Sequence, residues 1–87
     1  MPEYIVMSNL VVEREKTASH RNDHLNYLTE LKNIGNLKMA GKFPDGSGGL
    51  YILSTESYNQ AKDLAMADPY HSLGLRKFTI KEWERKL

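Results

Sequence analysis

Alternating side chains predict four β-strands along the chain. The first strand, residues 3–13, is rich in β-branched residues, and both of its alternating sets of side chains are largely apolar. Two short strands, residues 36–43 and 49–55, flank the sequence PDGSGG, which favours a hairpin turn. The last strand, residues 75–84, alternates two sets of side chains. These sets are Arg76, Phe78 and Ile80 on one side and Leu75, Lys77 and Thr79 on the other.

A period of about 3.6 residues predicts two helices between these strands. Residues 17–35 carry three leucines at helical spacing, and Gly35 is typical of a helix end. Residues 56–67 predict the second helix, with Thr55 as its N-cap. The three leucines of the first helix are Leu25, Leu28 and Leu31.

The order β-α-β-β-α-β is that of a ferredoxin-like α+β fold. With right-handed crossovers, it predicts a four-stranded antiparallel sheet with two helices on one face. A chain of 87 residues without an internal repeat or a linker predicts one domain, residues 1–87. Because the first strand is apolar on both sides and the helices cover only one face, the other face predicts contact with a second copy of the chain. We therefore expect a homodimer or a higher oligomer.

This topology brings three distant segments to one end of the sheet. The start of the first helix, the PDGSGG turn and the segment ADPYHS after the second helix all meet where the first strand ends. Such convergence of segments is what a binding site requires.

Composition narrows the classes of function. The chain has 12 basic and 11 acidic residues, and it lacks the basic stripe with stacking aromatic residues that is typical of a nucleic-acid binder. It has no cysteine, no signal-like N-terminus and no apolar run long enough to cross a membrane. We therefore expect a cytoplasmic protein that binds neither nucleic acid nor a membrane.

Two residues at the converging end are candidates for chemistry. His24 lies near the middle of the apolar stripe of the first helix, either as a core-edge histidine or as a general acid or base. Asp68 lies where the dipole of the second helix opposes a carboxylate. It either caps the short turn PYHS or holds a histidine, and one carboxylate can do both. Tyr70 and His71 are expected at the surface or at the rim of the site.

Metal and nucleotide motifs are weak in this chain. His20 and His24 have the spacing of two metal ligands on a helix, but Arg21 stands where a metalloprotease motif has glutamate, and no third ligand is evident. The glycine-rich turn lacks the lysine followed by serine or threonine of a phosphate-binding loop. The expectation is a site without a metal ion or a cofactor.

Three short motifs stand in a characteristic order and spacing. They are Arg21-x-x-His24-Leu25, Ala40-Gly41 ahead of a glycine-bearing hairpin, and Asp68-Pro69-Tyr70 with Gly74-Leu75. Together they resemble the YCII-related (YciI-like) family over nearly the whole chain. The resemblance implies a dimeric α+β barrel, similar to muconolactone isomerase and the cofactor-free monooxygenases, with a His-Asp pair at His24 and Asp68. Within the same motifs we predict substrate-binding positions at Arg21, Gly41, Tyr70 and Gly74.

Two functions remain open on this basis. The first is a cofactor-free enzyme that acts on a small oxygenated substrate, cyclic or aromatic; one branch of the family removes chloride from chlorinated hydroxyhydroquinones. In this hypothesis His24 moves a proton, Asp68 orients the imidazole and Arg21 steadies an anionic oxygen. The alternative is a non-catalytic dimeric module that binds a small ligand.

Overall fold

A computed structural model describes the whole chain, residues 1–87. Its element order confirms the predicted β-α-β-β-α-β arrangement, with a 3-10 helix ahead of the first α-helix and a one-turn helix before the last strand. The strands are β1 (Glu3–Leu10), β2 (Leu37–Lys42), β3 (Gly48–Ser54) and β4 (Arg76–Trp83). The helices are the 3-10 helix Arg14–His20, α1 (Arg21–Asn33), α2 (Tyr58–Met66) and α3 (Pro69–Ser72).

The four strands form one sheet in the order β2-β3-β1-β4, and every neighbouring pair is antiparallel. The register assigns residues to faces: Val6 in β1 lies opposite Tyr51 in β3 and Ile80 in β4. These three side chains therefore share the face that the helices cover. A slip of one residue would turn the whole set toward the other face.

The hydrophobic core lies between this face and helices α1 and α2. Alanines on α2 let that helix pack closely against the sheet, and two leucines of α1 fill the space beside them. Leu25, the third leucine of the predicted stripe, stays 50% exposed. The buried core residues are Tyr4, Val6, Leu28, Leu31, Leu37, Tyr51, Leu53, Ala61 and Ala65.

Helix ends differ from the prediction at two places. The segment before Arg21 forms a 3-10 helix instead of α-helix, and the Thr17 hydroxyl donates to the carbonyl of Arg14 at 2.7 Å. Thr55 is not the N-cap of α2, so that prediction was wrong. Ser57 has that role, because its hydroxyl accepts a hydrogen bond from the Gln60 amide.

The turn between β2 and β3 lies beside the end of β1, as the topology predicts. The Leu10 amide donates to the carbonyl of Ser47 at 2.8 Å, and the Asp45 carboxylate accepts from the Ser47 amide. A Cβ atom at Gly48 would lie 1.9 Å from the Ser8 carbonyl oxygen, so only glycine permits this approach of the two strands. In none of the helices does the apolar stretch reach the length required to span a bilayer.

Candidate active site

Asp68 connects α2 to α3 and is completely buried. Pro69 takes the first position of α3, where its missing amide hydrogen is not needed. One carboxylate oxygen of Asp68, Oδ1, accepts a hydrogen bond from the Tyr70 amide at 2.9 Å. Asp68 is therefore the N-cap of α3, which explains a carboxylate at a position that the dipole of α2 disfavours.

The same carboxylate binds two side chains from other elements. Oδ1 also accepts from His24 Nδ1, 2.8 Å away on α1, and Oδ2 accepts from the Tyr51 hydroxyl on β3 at 3.1 Å. A carboxylate has no hydrogen to donate, so Nδ1 of His24 carries the proton in this bond. Asp68 thus caps α3 and holds His24 at the same time.

The charge state of this cluster follows from its contacts. Burial raises the pKa of Asp68, but the hydrogen bond and charge of His24, together with the Tyr70 amide, lower it below its ordinary value. Burial and the neighbouring carboxylate raise the pKa of Tyr51 far above its usual range. At neutral pH Asp68 is therefore an anion, and Tyr51 is a neutral hydrogen-bond donor.

His24 keeps its second nitrogen free. No side chain or backbone group of the protein bonds to Nε2, and the ring lines a cavity of about 430 Å³ between α1, the β2–β3 turn and the start of β4. With Nδ1 protonated, Nε2 of the neutral ring carries a lone pair. A molecule in the cavity can thus exchange a proton with Nε2. No cluster of three or more His, Cys, Asp or Glu side chains is arranged to hold a metal ion.

Tyr70 packs between His24 and Arg76. Its ring stacks on His24 with a centroid distance of 4.1 Å and an angle of 15° between the ring planes. The Arg76 guanidinium carbon lies 4.4 Å from the centre of the same ring. The expectation of a rim position for Tyr70 was wrong, because α3 turns this side chain inward and leaves it 4% exposed.

His71 is also buried, contrary to the expectation of a surface position, and both of its nitrogens are occupied. Nδ1 donates to the Ala65 carbonyl at 2.7 Å, so in the neutral ring Nε2 accepts from the Ser8 hydroxyl, also at 2.7 Å. Its ring lies against Phe78, with a centroid distance of 4.5 Å. Burial lowers the pKa of His71, more strongly than the hydrogen bond to Ala65 and the charge of Asp68 raise it.

The structure brings most of the predicted site residues to one place. Arg21, Gly41 and Tyr70 line the cavity together with His24. Gly74 is not part of the cavity lining; it follows α3 with a positive φ of 72°.

Sequence reasoning missed two residues of the site, Tyr51 and Arg76. For Arg76 a signal was present, since it belongs to the same alternating set as the apolar Phe78 and Ile80 and so points to the covered face. Tyr51 is one apolar residue of an apolar strand, and no local pattern separates it from its neighbours.

Comparisons with known proteins show the family and the fold of this chain. The sequence model of the YCII-related domain matches residues 3–84. An uncharacterised protein of Bacillus subtilis (strain 168), YjpA, is 36% identical over 78 residues, which cover 88% of this chain and 92% of the relative. A solved structure with the same fold is 5-chloro-2-hydroxyhydroquinone dehydrochlorinase from Burkholderia phenoliruptrix AC1100 in complex with 2,5-dihydroxybenzoquinone. The two structures superpose with a TM-score of 0.82 and are 18% identical in sequence. The match covers 95% of this chain and 94% of the dehydrochlorinase chain. On the evidence of the matched domain and the relative, the chain belongs to the YCII-related family.

Proposed function

We propose that this protein is an enzyme of small-molecule metabolism that catalyses proton transfer without a cofactor, with His24 as general acid and base. The observation that carries the proposal is the arrangement of His24: Nδ1 is fixed by a buried carboxylate, while Nε2 is free in a cavity. A histidine oriented in this way can accept a proton at Nε2 and return it, and Asp68 stabilises the imidazolium that forms in between.

The size and the lining of the cavity favour a small oxygenated ring as substrate. A volume of about 430 Å³ lies within the range of pockets for small molecules. The lining combines apolar side chains such as Leu28 and Phe43 with the polar groups of His24 and Arg21. The dehydrochlorinase of the same fold holds 2,5-dihydroxybenzoquinone, which has this chemistry.

Hydrogen exchange at carbon tests the proposal directly, since it requires proton transfer and no second reactant. Hydroxyhydroquinone and 2,5-dihydroxybenzoquinone are incubated anaerobically in D₂O, and the loss of their ring-proton NMR signals is followed with and without protein. The wild-type protein should accelerate this loss, and His24→Gln should slow it by about 10²- to 10⁴-fold. His20→Gln is the matched control, because this histidine lies one turn earlier and does not line the cavity.

Two results would contradict the proposal. The first is exchange in the His24→Gln variant at the wild-type rate. The second is binding of these compounds, seen as perturbed amide signals, without any acceleration of exchange by the wild-type protein. That outcome would favour a small-ligand-binding module.

We also propose that the chain forms a homodimer through the sheet face that the helices leave open. This face carries exposed apolar side chains on three of its strands, with Met7 of β1 40% exposed, Met39 of β2 52% exposed and Trp83 of β4 37% exposed, beside the half-buried Ile5 and Leu50. Large exposed side chains of this kind favour contact with a second copy. Sedimentation velocity at micromolar concentration tests the proposal, and a single monomeric species would contradict it.

A further inference from the structure

The wall of the cavity carries an excess of positive charge. Four of its lining residues are cationic and none is acidic; they are Arg14, Arg21, Lys42 and Arg76. None of the four makes a salt bridge within the protein. The Asp68 carboxylate is buried behind His24 and Tyr51, and Asp45 in the β2–β3 turn interacts electrostatically with Arg14. Because the whole chain has a net charge of only +1, this concentration of cations is local to the cavity.

Arg76 is half-buried, whereas the other three cations are exposed. Its guanidinium has no hydrogen-bond acceptor in the protein. Its Nε is the one buried side-chain nitrogen or oxygen atom of the chain without a partner. A buried donor left without an acceptor is costly, and native structures rarely keep one without a reason. The terminal nitrogens of Arg76 are not buried in this way, so an oxygen of a molecule in the cavity can give this guanidinium the acceptor that it lacks.

Tyr70 holds Arg76 close to the proposed reacting group. The guanidinium carbon lies 4.4 Å from the centre of the Tyr70 ring, and the same ring stacks on His24 at 4.1 Å. The guanidinium and the imidazole are therefore fixed relative to each other by one rigid aromatic side chain. An oxygen bound to Arg76 would place the rest of the molecule within the part of the cavity that His24 lines.

We infer that Arg76 is the residue that binds the anionic oxygen of the substrate, and that the cavity selects small ring compounds bearing a carboxylate or an enolate oxygen. This inference rests on the proposed function and names the substrate class for that site. Arg21, the arginine that the sequence suggested for this role, is exposed, so ordering its side chain costs more conformational entropy. Arg76 is already held by Tyr70, and such preorganisation favours binding.

Binding of a minimal anion and its neutral counterpart tests the inference. Benzoate, benzamide and inorganic phosphate are titrated into ¹⁵N-labelled protein, and Kd is taken from the shifts of the amide signals around the cavity. Benzoate should bind at least tenfold more tightly than benzamide and displace phosphate. Arg76→Gln should weaken benzoate binding at least tenfold and change benzamide binding less than twofold. Arg21→Gln should have the smaller effect on benzoate.

Arg85→Gln is the matched control, because it removes the same charge from an exposed arginine that pairs with Glu3 outside the cavity. It should bind benzoate like the wild type. If Arg76→Gln does not fold, Arg76→Lys keeps the charge and loses the planar fork, and it should still bind benzoate several-fold more weakly.

Several outcomes would overturn the inference. They are equal affinity for benzoate and benzamide, unchanged benzoate affinity in the Arg76 variants, a larger loss in Arg21→Gln than in Arg76→Gln, or phosphate that binds as tightly as benzoate. His24→Gln separates this inference from the proposed function. It should retain benzoate binding while it loses catalysis of hydrogen exchange, because binding and exchange depend on different residues. Absence of exchange in the wild type would therefore contradict only the enzymatic proposal, and the benzoate affinities would still test the role of Arg76.

Discussion

His24 and His71 are both buried imidazoles, 9% and 8% exposed, and in both Nδ1 donates to an oxygen of the protein. They differ at Nε2. In His71 this nitrogen accepts from Ser8, whereas in His24 it has no partner and the ring lines the cavity. The degree of burial therefore does not separate a structural histidine from a catalytic candidate. The availability of the second nitrogen does.

The two rings also differ in what Nδ1 contacts. The Ala65 carbonyl next to His71 is neutral, whereas the Asp68 carboxylate next to His24 is an anion that stabilises a protonated ring. The lowered pKa of His71 keeps that ring neutral at pH 7. The contacts of His24 suit a ring that changes its charge during a reaction. The contacts of His71 suit a neutral ring that joins α2 to β1.

The largest expected effect follows from removing the partner of each histidine in turn. Asp68→Asn keeps an oxygen for the Tyr70 amide and for His24. It places an NH₂ group against the Tyr51 hydroxyl, which must then accept a hydrogen bond instead of donating one, so it should cost about 1 kcal/mol of stability. It removes the charge that stabilises the imidazolium, and catalysed hydrogen exchange should fall by about 10²- to 10⁴-fold. The measurements are urea denaturation and the exchange rate in D₂O.

Ser8→Ala is the counterpart of this variant on the side of His71. It leaves Nε2 of a buried ring without a donor, and the free energy of unfolding should fall by about 1–3 kcal/mol. The rate of hydrogen exchange should stay at the wild-type value. If Ser8→Ala reduced the rate as much as Asp68→Asn does, the distinction between the two histidines would be wrong.

A smaller effect is expected in the pH dependence of stability, where His71 should contribute through its lowered pKa. His71 has a lowered pKa in the folded protein, so the unfolded chain takes up the proton first, near pH 6.5. Stability should therefore fall as the pH decreases below about 6.5, until the folded ring is also protonated. Asp68 has a lowered pKa as well, but its contribution is present above about pH 3.9 and is lost only at lower pH.

His71→Asn isolates this effect, because its side-chain amide can still donate to the Ala65 carbonyl. Urea midpoints between pH 7.5 and pH 5 should decrease less steeply in this variant than in the wild type. Equal slopes in the two proteins would mean that His71 is not the residue that titrates in this interval.

The smallest expected effect concerns the second oxygen of Asp68. Tyr51→Phe removes a hydrogen bond of 3.1 Å and leaves Asp68 bound to His24 and to the Tyr70 amide. Stability should fall by about 1 kcal/mol, and the exchange rate should fall less than tenfold, with a changed pH profile, because Tyr51 acts by positioning Asp68.

Tyr27→Phe is the matched control for this variant. Its hydroxyl donates to the Leu64 carbonyl at 2.6 Å and makes no hydrogen bond to Asp68. The loss of stability should be similar, and neither the exchange rate nor its pH profile should change. A changed profile in Tyr27→Phe would assign the effect to general loosening of the core instead of to the carboxylate.

Local chemistry alone predicted a good part of the site. The Asp-Pro pair indicated a capped turn, because both residue types have strong positional preferences at a helix start. Helical period placed His24 on the core side of α1. The order of the elements brought both residues to one end of the sheet, since crossover connections leave few alternatives.

Whether Nε2 is free, as in His24, or bonded, as in His71, depends on contacts between distant segments, which no local sequence pattern contains. Ser8 and His71 are separated by 63 residues, and their bond exists only because β1 passes under α3 in one register. Tyr70 and His71 belong to a helix of one turn, which is too short for a periodic pattern to identify its buried side.

The sequence by itself determined which elements form and which end of the sheet holds the candidate residues, because propensity, period and capping act over a few neighbours. Only the tertiary structure decided which nitrogen of each histidine is free and which arginine lines the cavity beside Tyr70. Those features depend on distances of a few ångströms between distant segments, and these distances are set by packing of the whole core.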